Sequence, residues 1–186
     1  LEFFIIDFNL YIYELDIFHE GTSLVPPYNY IFNNSLWLST LYDYGLGANN
    51  LMLLFYKLTN EYTIGSIRFI KVFLVFLNKI LLILICRKLF LTLDLNENIK
   101  NVFFLILSII VISFINYSNP DISYFPPRSC IFLLFFLFLI EILINVKFFF
   151  FKSFIVGTFS LISILWWIDI GLYINVIIFI LFIYLI

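Results

Sequence analysis

Apolar residues fall into long runs over about the last two thirds of the chain, and short polar stretches separate these runs. A helix needs about 20 mostly apolar residues to cross a hydrocarbon core of about 30 Å. The pattern therefore predicts a transmembrane bundle over 67–186. Its expected spans are 67–86, 101–116, 130–146, 153–167 and 172–186.

The N-terminal part has a different pattern. Residues 14–50 are polar and rich in turn-forming residues, and 14–66 as a whole is predicted to be an outer loop with juxtamembrane helices. Its tyrosines and tryptophan are residue types that favour the headgroup level of a membrane. The segment 50–59 is too short to span and is predicted to lie in the interface or to re-enter the membrane.

Residues 1–13 are apolar but too short to cross a membrane alone. They are interpreted as the end of a truncated first helix or as a short interfacial segment. The chain opens on Leu1 and stops inside an apolar run, so we expect it to be a fragment of a longer protein.

Composition strengthens the membrane interpretation. The chain is 64% hydrophobic and 12% charged, whereas soluble domains are about 45–50% apolar and about 25% charged. A soluble fold of this size could not bury so much apolar surface. The predicted fold class is therefore all-α, a polytopic helical membrane protein. A net charge of −2 excludes a strongly basic nucleic-acid binder.

Positive charge in the short loops predicts the orientation of the bundle. Cytoplasmic loops carry an excess of Lys and Arg. The residues expected on that side are Arg87, Lys88, Lys100, Lys147 and Lys152. The loop 14–66, the loop 117–129 and Asp169 then face the outside.

Asp16, His19 and Glu20 form the candidate reactive group of the outer loop. On a helix, Asp16 shares a face with both of the other residues. Such a group binds a divalent metal, or one carboxylate acts as a general base. The alternative interpretation is a solvated helix cap.

Four further charged residues are candidates for binding a substrate phosphate. Arg68 and Lys71 lie near the outer end of the first span, with snorkelling to lipid headgroups as the alternative. Arg128 suits a phosphate fork or an interfacial anchor. Asp169 stands at the outer mouth of two helices, or is a turn acid.

A buried ion pair between Lys79 and Glu141 is predicted to fix helix packing. Counting the helical rise, Lys79 lies about 18 Å below Ile67 and Glu141 about 16 Å below Cys130. A charge in the bilayer core needs a partner, and the two depths match.

Five segments spread over the chain resemble the GT-C superfamily of integral membrane glycosyltransferases. They are DIFHEG at 16–21, LYDYGLGANN at 41–50, TIGSIRF at 63–69, PDISYFPPRS at 120–129 and WWIDIGLYIN at 166–175. The resemblance implies transfer of a sugar from a polyprenyl-phosphate donor to a glycan, lipid or protein acceptor. The reaction would take place on the periplasmic face of a bacterial inner membrane.

The same resemblance implies roles for individual residues. Asp16 or Glu20, with His19 beside them, would take the proton of the acceptor. Arg68, Lys71 or Arg128 would stabilise the departing phosphate. Some members use a divalent metal such as Mg or Mn and others do not, which leaves the cofactor open. Two alternatives are a transporter or lipid-linked-sugar flippase, and a membrane scaffold without catalysis.

Overall fold

The computed structural model describes residues 17–34, 46–114, 125–144, 147 and 149–185. This part of the chain contains seven helices and no strand, so the all-α prediction is confirmed for it. The helices are α1 (Ile17–Asn33), α2 (Leu46–Thr59), α3 (Ile64–Thr92), α4 (Glu97–Phe114), α5 (Phe125–Ile144), α6 (Phe149–Trp166) and α7 (Ile168–Leu185). Helices α3 to α7 correspond in order to the five apolar segments of the sequence.

Helix α3 is the longest described helix, with 29 residues. It is the one helix whose described residues are by themselves long and apolar enough to cross a bilayer, while the described apolar stretches Phe150–Trp166 and Ile168–Leu181 are shorter. Thr63 caps its N-terminus, where its hydroxyl accepts the Ser66 amide hydrogen at 3.2 Å. The Thr63 and Ser66 hydroxyls lie 2.9 Å apart. A hydroxyl cap satisfies an amide that has no partner within the helix.

The outer loop predicted for 14–66 contains two helices, α1 and α2. Helix α1 continues through Pro26 and Pro27, which are both buried. Proline removes a backbone donor and normally kinks or ends a helix, so the prediction of juxtamembrane helices within 14–66 did not place one across these two residues. Helices α1 and α2 pack together, with the Lys57 ammonium 4.3 Å from the centre of the Tyr30 ring.

Helix α2 folds back along the first part of α3. The rings of Phe55 and Phe69 lie 6.2 Å apart, and those of Tyr56 and Tyr62 lie 5.6 Å apart across the turn. Leu51 packs against the core between α3 and α5. The buried centre of this core consists of Leu74, Leu81 and Cys130.

Helices α3 and α5 form the most extensive contact and run in the same direction. The Asn78 amide donates to the Ser129 hydroxyl at 2.6 Å, and further along both helices Lys88 pairs with Glu141. Ser129 is therefore level with Asn78. It follows that about 15 Å of α3 extends beyond the level at which α5 begins.

The register of α3 and α5 shows that the predicted Lys79–Glu141 pair is wrong. The prediction treated Ile67 and Cys130 as level, but Cys130 lies level with Lys79. Glu141 is bridged by Lys88 and by Lys152, whose ammonium lies 3.7 Å from Glu141 Oε1. Lys79 donates to the Ile112 carbonyl of α4 at 3.1 Å. Lys79 therefore bonds to α4 and does not pair with Glu141.

Helices α6 and α7 form a hairpin in which only Trp167 lies outside both helices. The Ser160 hydroxyl donates to Asn175 Oδ1 at 2.5 Å, and Asn175 Nδ2 donates to the Gly171 carbonyl at 2.7 Å. A Cβ at Gly171 would lie 2.4 Å from Ile164 Cα. Glycine is therefore what lets the two backbones approach this closely.

Candidate functional site

Arg128, Trp167 and Asp169 meet at one end of the bundle and are called the outer-end cluster here, after the orientation predicted from the sequence. Arg128 Nη2 lies 3.4 Å from Asp169 Oδ2, and its guanidinium carbon lies 4.6 Å from the centre of a Trp167 ring. Arg128 is in the first turn of α5 and Asp169 in the first turn of α7. The sequence singled out both charged residues separately, and the structure brings them together.

The α6–α7 hairpin holds this cluster in place. Trp167 is fully buried, its amide donates to the Ser163 carbonyl at 2.8 Å, and its own carbonyl accepts from the Gly171 amide at 2.8 Å. Asp169 Oδ1 accepts the Ile170 amide hydrogen at 2.8 Å. One carboxylate oxygen is thereby fixed on the backbone, and the other faces Arg128.

The ion pair of the outer-end cluster is accessible to solvent. The Arg128 and Asp169 side chains are 30% and 46% exposed. Pairs with this much exposure contribute about 0–1 kcal/mol, so a more highly charged anion can take the place of the carboxylate. The N-termini of α5 and α7 meet here, and helix N-termini carry partial positive charge. The arrangement suits a phosphate that accepts two hydrogen bonds from one guanidinium.

Arg68 and Lys71 lie at a different level from the outer-end cluster. Both belong to the part of α3 that precedes the start of α5, and Arg68 is only 8% exposed while Lys71 is half-buried. From the register of α3 and α5, Arg68 lies about 14 Å above Arg128 along the helix axis. The four predicted phosphate ligands therefore do not form one site.

The side chain of the candidate base, Asp16 or Glu20, lies outside the described part of the structure. Asp16 is not among the described residues, and His19 and Glu20 are described only as backbone at the start of α1. Among the side chains that are described, no group of three His, Cys, Asp or Glu residues could hold a metal ion. The roles of Asp16, His19 and Glu20, including metal binding, stay predictions.

The sequence did not indicate which residues Glu141 and Trp167 contact. Trp167 is the buried platform under Arg128, a role that its place in the segment 166–175 did not indicate. Lys88 and Lys152 were taken only as indicators of orientation, but both bridge Glu141. Their position beside short loops at the same end as Glu141 was the available signal.

The comparisons with known proteins add no relative to this picture. Searches of protein-family models, of curated proteins and of solved structures found no match for the chain. A proposal about function therefore rests on the geometry of the chain and on the resemblance of its sequence segments to the GT-C superfamily.

Proposed function

We propose that the chain is a multi-pass membrane protein with α3 to α7 as its spans. Helices α4 to α7 have 18, 20, 18 and 18 residues, within the range of about 17–25 that a span requires. Soluble proteins rarely expose large contiguous apolar patches. The strongly exposed apolar side chains of α4, α6 and α7 include Val102, Leu105, Ile109, Phe154, Leu161, Leu172, Val176, Phe179 and Ile180.

The positions of the ion pairs support the same proposal. The outer-end cluster lies at one end of α5, and Glu141 with its two lysines lies near the other end. Arg128 and Glu141 are about 20 Å apart along the helix. Charged groups are expensive in hydrocarbon, and this separation keeps both groups near the two boundaries of an inner membrane, with α1 and α2 on the periplasmic side.

We further propose that the protein transfers a sugar from a polyprenyl-phosphate donor to an acceptor at the outer end. The outer-end cluster is the observation that carries this proposal. Arg128 is a guanidinium oriented by an indole face and an exposed carboxylate, at the meeting point of two helix N-termini. A lipid-linked phosphate that lies at the membrane boundary is an anion of the right charge and position for it.

The proposed reaction is a direct displacement at the anomeric carbon. The donor phosphate takes the place of Asp169 on Arg128. Asp16 or Glu20 then removes the proton of the acceptor hydroxyl, whose oxygen forms the new bond to the anomeric carbon. The bond to the phosphate oxygen breaks, and the electron pair leaves with polyprenyl phosphate. Arg128 stabilises this negative charge as it develops.

A transport pathway along α3 has less support. Transporters keep polar ligand groups near the middle of the membrane. The buried polar residues in the middle of α3, Asn78 and Lys79, donate to Ser129 and to the Ile112 carbonyl. These bonds link α3 to α5 and α4, which is a packing role.

Replacing Arg128 tests the proposed function. The purified protein, reconstituted with a polyprenyl-phosphate hexose and a mixture of glycan, lipid and peptide acceptors, is expected to yield a hexosylated product detectable by mass spectrometry. Arg128→Gln removes a charge-assisted contact and should lower the rate about tenfold or more. Arg87→Gln, an exposed cation of α3 near its opposite end, is the matched control. Unchanged transfer by Arg128→Gln contradicts the proposal.

A further inference from the structure

Four exposed apolar side chains lie on the outer part of the molecule and are called the α2–α3 face here. They are Leu54, Leu58, Phe69 and Phe73, with exposures of 53%, 85%, 52% and 54%. Leu54 and Leu58 lie one turn apart on α2, as Phe69 and Phe73 do on α3. The ring of Phe55 lies 6.2 Å from the ring of Phe69. The two pairs therefore belong to neighbouring parts of one surface.

The α2–α3 face lies outside the hydrocarbon layer in the proposed membrane placement. From the register of α3 and α5, Phe73 lies about 6 Å and Phe69 about 12 Å above Arg128 along the helix axis. Leu58 lies still higher, because α2 runs back to the turn that precedes α3. The headgroup region adds only about 5–7 Å to each side of the hydrocarbon layer. Acyl chains therefore do not cover most of this face, and exposed apolar patches of this kind mark contacts with other molecules.

The apolar surface continues along α3 into the membrane. At about 100° per residue, Phe69, Phe73, Ile80 and Leu84 lie within about 60° of one another around the helix axis. Ile80 and Leu84 are 38% and 39% exposed. The stripe from Phe69 to Leu84 is about 22 Å long. A partner that covers the whole stripe therefore spans the membrane itself.

The charges beside the α2–α3 face suit contact with an identical face. Lys57 precedes Leu58 in α2, Glu61 follows it in the turn, and both charged side chains are exposed. The Lys57 ammonium lies over the Tyr30 ring at the edge of the face. Because the formal charges of Lys57 and Glu61 sum to zero, two copies of the face do not repel each other. A face with one sign of charge would oppose its own copy.

We propose that the α2–α3 face joins two copies of this chain about a two-fold axis normal to the membrane. A two-fold contact uses the same surface patch on both subunits and is the commonest arrangement among oligomers. Copies that span one bilayer in the same orientation hold this face at the same height, so the rotation brings the two faces together. This inference rests on the proposed membrane placement and is independent of sugar transfer.

Cysteine crosslinking in vesicles tests the contact. In a background without the native cysteines, purified Leu58→Cys is reconstituted at low protein density and treated with a short bifunctional maleimide. The variant should give a crosslinked dimer, because Leu58 meets its own copy near the axis. Phe32→Cys is the matched control. Its side chain is 66% exposed but lies on α1, outside the α2–α3 face, so this variant should not crosslink.

Leu58→Gln measures the contribution of the face to association. Leu58 is 85% exposed in a single copy, so the substitution leaves the packing within the chain intact. It removes a leucine from the contact once in each copy and should raise the dissociation constant of the dimer about tenfold or more. Phe32→Gln should leave that constant unchanged. Single-molecule counting of labelled copies in vesicles measures the constant.

A protein that stays monomeric in the vesicles overturns the proposed contact. Equal crosslinking of the two cysteine variants does so as well, and so does a dimer that Leu58→Gln does not weaken. If lipid covers the face instead, the protein is monomeric and brominated lipid quenches a fluorophore attached at position 58. Flotation with the vesicles reports membrane insertion separately. A protein that floats as a monomer contradicts only the contact, whereas a protein that does not float contradicts the membrane placement.

Discussion

Gly171 is a single residue on which the close packing of α6 and α7 depends. The hairpin of α6 and α7 brings the backbone at Ile164 so close that a Cβ at Gly171 would lie 2.4 Å from Ile164 Cα and 2.5 Å from its amide nitrogen. Backbone cannot move aside as a flexible side chain can. Because Trp167 and Asp169 belong to the same hairpin, the position of the outer-end cluster depends on this close approach.

We therefore expect Gly171→Ala to destabilise the protein. Overpacking of this kind typically costs about 1–3 kcal/mol, and the loss should appear as a lower unfolding temperature in detergent. Gly157→Ala is the matched control, because a Cβ at Gly157 in α6 meets nothing within 4 Å. Alanine in a helix is favoured over glycine by about 1 kcal/mol, so this control should be neutral or stabilising. Equal effects of the two variants would contradict the close-approach argument.

The sequence indicated the chemical character of single residues better than it indicated which residues they contact. The sequence pointed to Arg128 and Asp169 because a planar cation and an acid each lay beside a helix entrance. It did not show that they would pair, since this depends on how far the α6–α7 hairpin reaches along α5. The same lack of register information led to the Lys79–Glu141 prediction, whereas Glu141 is bridged by Lys88 and Lys152.

At the scale of elements, the start of α3 depends on a short polar signal within an apolar chain. Thr63 accepts the Ser66 amide hydrogen, and the hydroxyls of Thr63 and Ser66 lie within hydrogen-bond distance. Directly before this cap, the chain reverses between α2 and α3, with Asn60 in the left-handed conformation at a φ of 59°. The cap therefore helps to define where α2 ends and α3 begins.

Removing this cap should loosen the first turn of α3. Thr63→Ala is expected to cost about 1 kcal/mol and to increase amide hydrogen exchange at 64–67. Thr63→Ser keeps the hydroxyl and serves as the control, with exchange close to that of the unmodified protein. Increased exchange that is equally large in both variants would mean that the threonine methyl group, and not the hydroxyl, holds the turn.

Helices were predictable where the length of an apolar run is enough to indicate one. Each of the five apolar segments carries a helix, because a long run without proline or glycine clusters has few other ways to satisfy its backbone. The ends were less predictable. Thr63 and Ser66 start α3 before the apolar run, and α1 passes through Pro26 and Pro27, which are both buried. Local turn chemistry gave no sign of this packing.

At the scale of the whole molecule, the proposed membrane placement makes a prediction about sidedness. The turn between α2 and α3 should face the periplasm and the turn between α3 and α4 the cytoplasm. In a background without the native cysteines, a cysteine at Glu61 should react with an impermeant maleimide in intact cells. A cysteine at Asn96 should react only after permeabilisation. Both positions are exposed in the structure.

Labelling of both cysteines from the same side would contradict the crossing of α3. Labelling of Asn96→Cys alone in intact cells would reverse the orientation but keep the crossing. The same logic extends to Lys147, which is exposed between α5 and α6 and should behave as Asn96 does.

The all-helical character of the described residues was readable from the sequence, but the arrangement of the helices was not. Leucine, isoleucine and phenylalanine lie on every side of α5 and α7, so no polar face indicates which side meets a neighbour. The contacts that fix the arrangement come from a few polar groups, such as Asn78 with Ser129. The packing of the helices determines which of these groups meet. A single sequence with no relative for comparison does not give that information directly.

In the proposed membrane placement, the extra length of α3 makes the position of the protein sensitive to the thickness of the bilayer. Its 29 residues measure about 43 Å, against a hydrocarbon slab of about 30 Å. If the shorter helices fill the slab, about 15 Å of α3 stands clear of it and sets the height of α1 and α2 above the lipid. A thicker bilayer would submerge Arg68 and Lys71, at a cost that grows with each ångström of mismatch. A thinner bilayer would leave both the outer helices and the outer-end cluster higher above the lipid, because the register of α3 and α5 fixes the distance between them. Membrane thickness would therefore set how far both polar regions stand from the lipid surface.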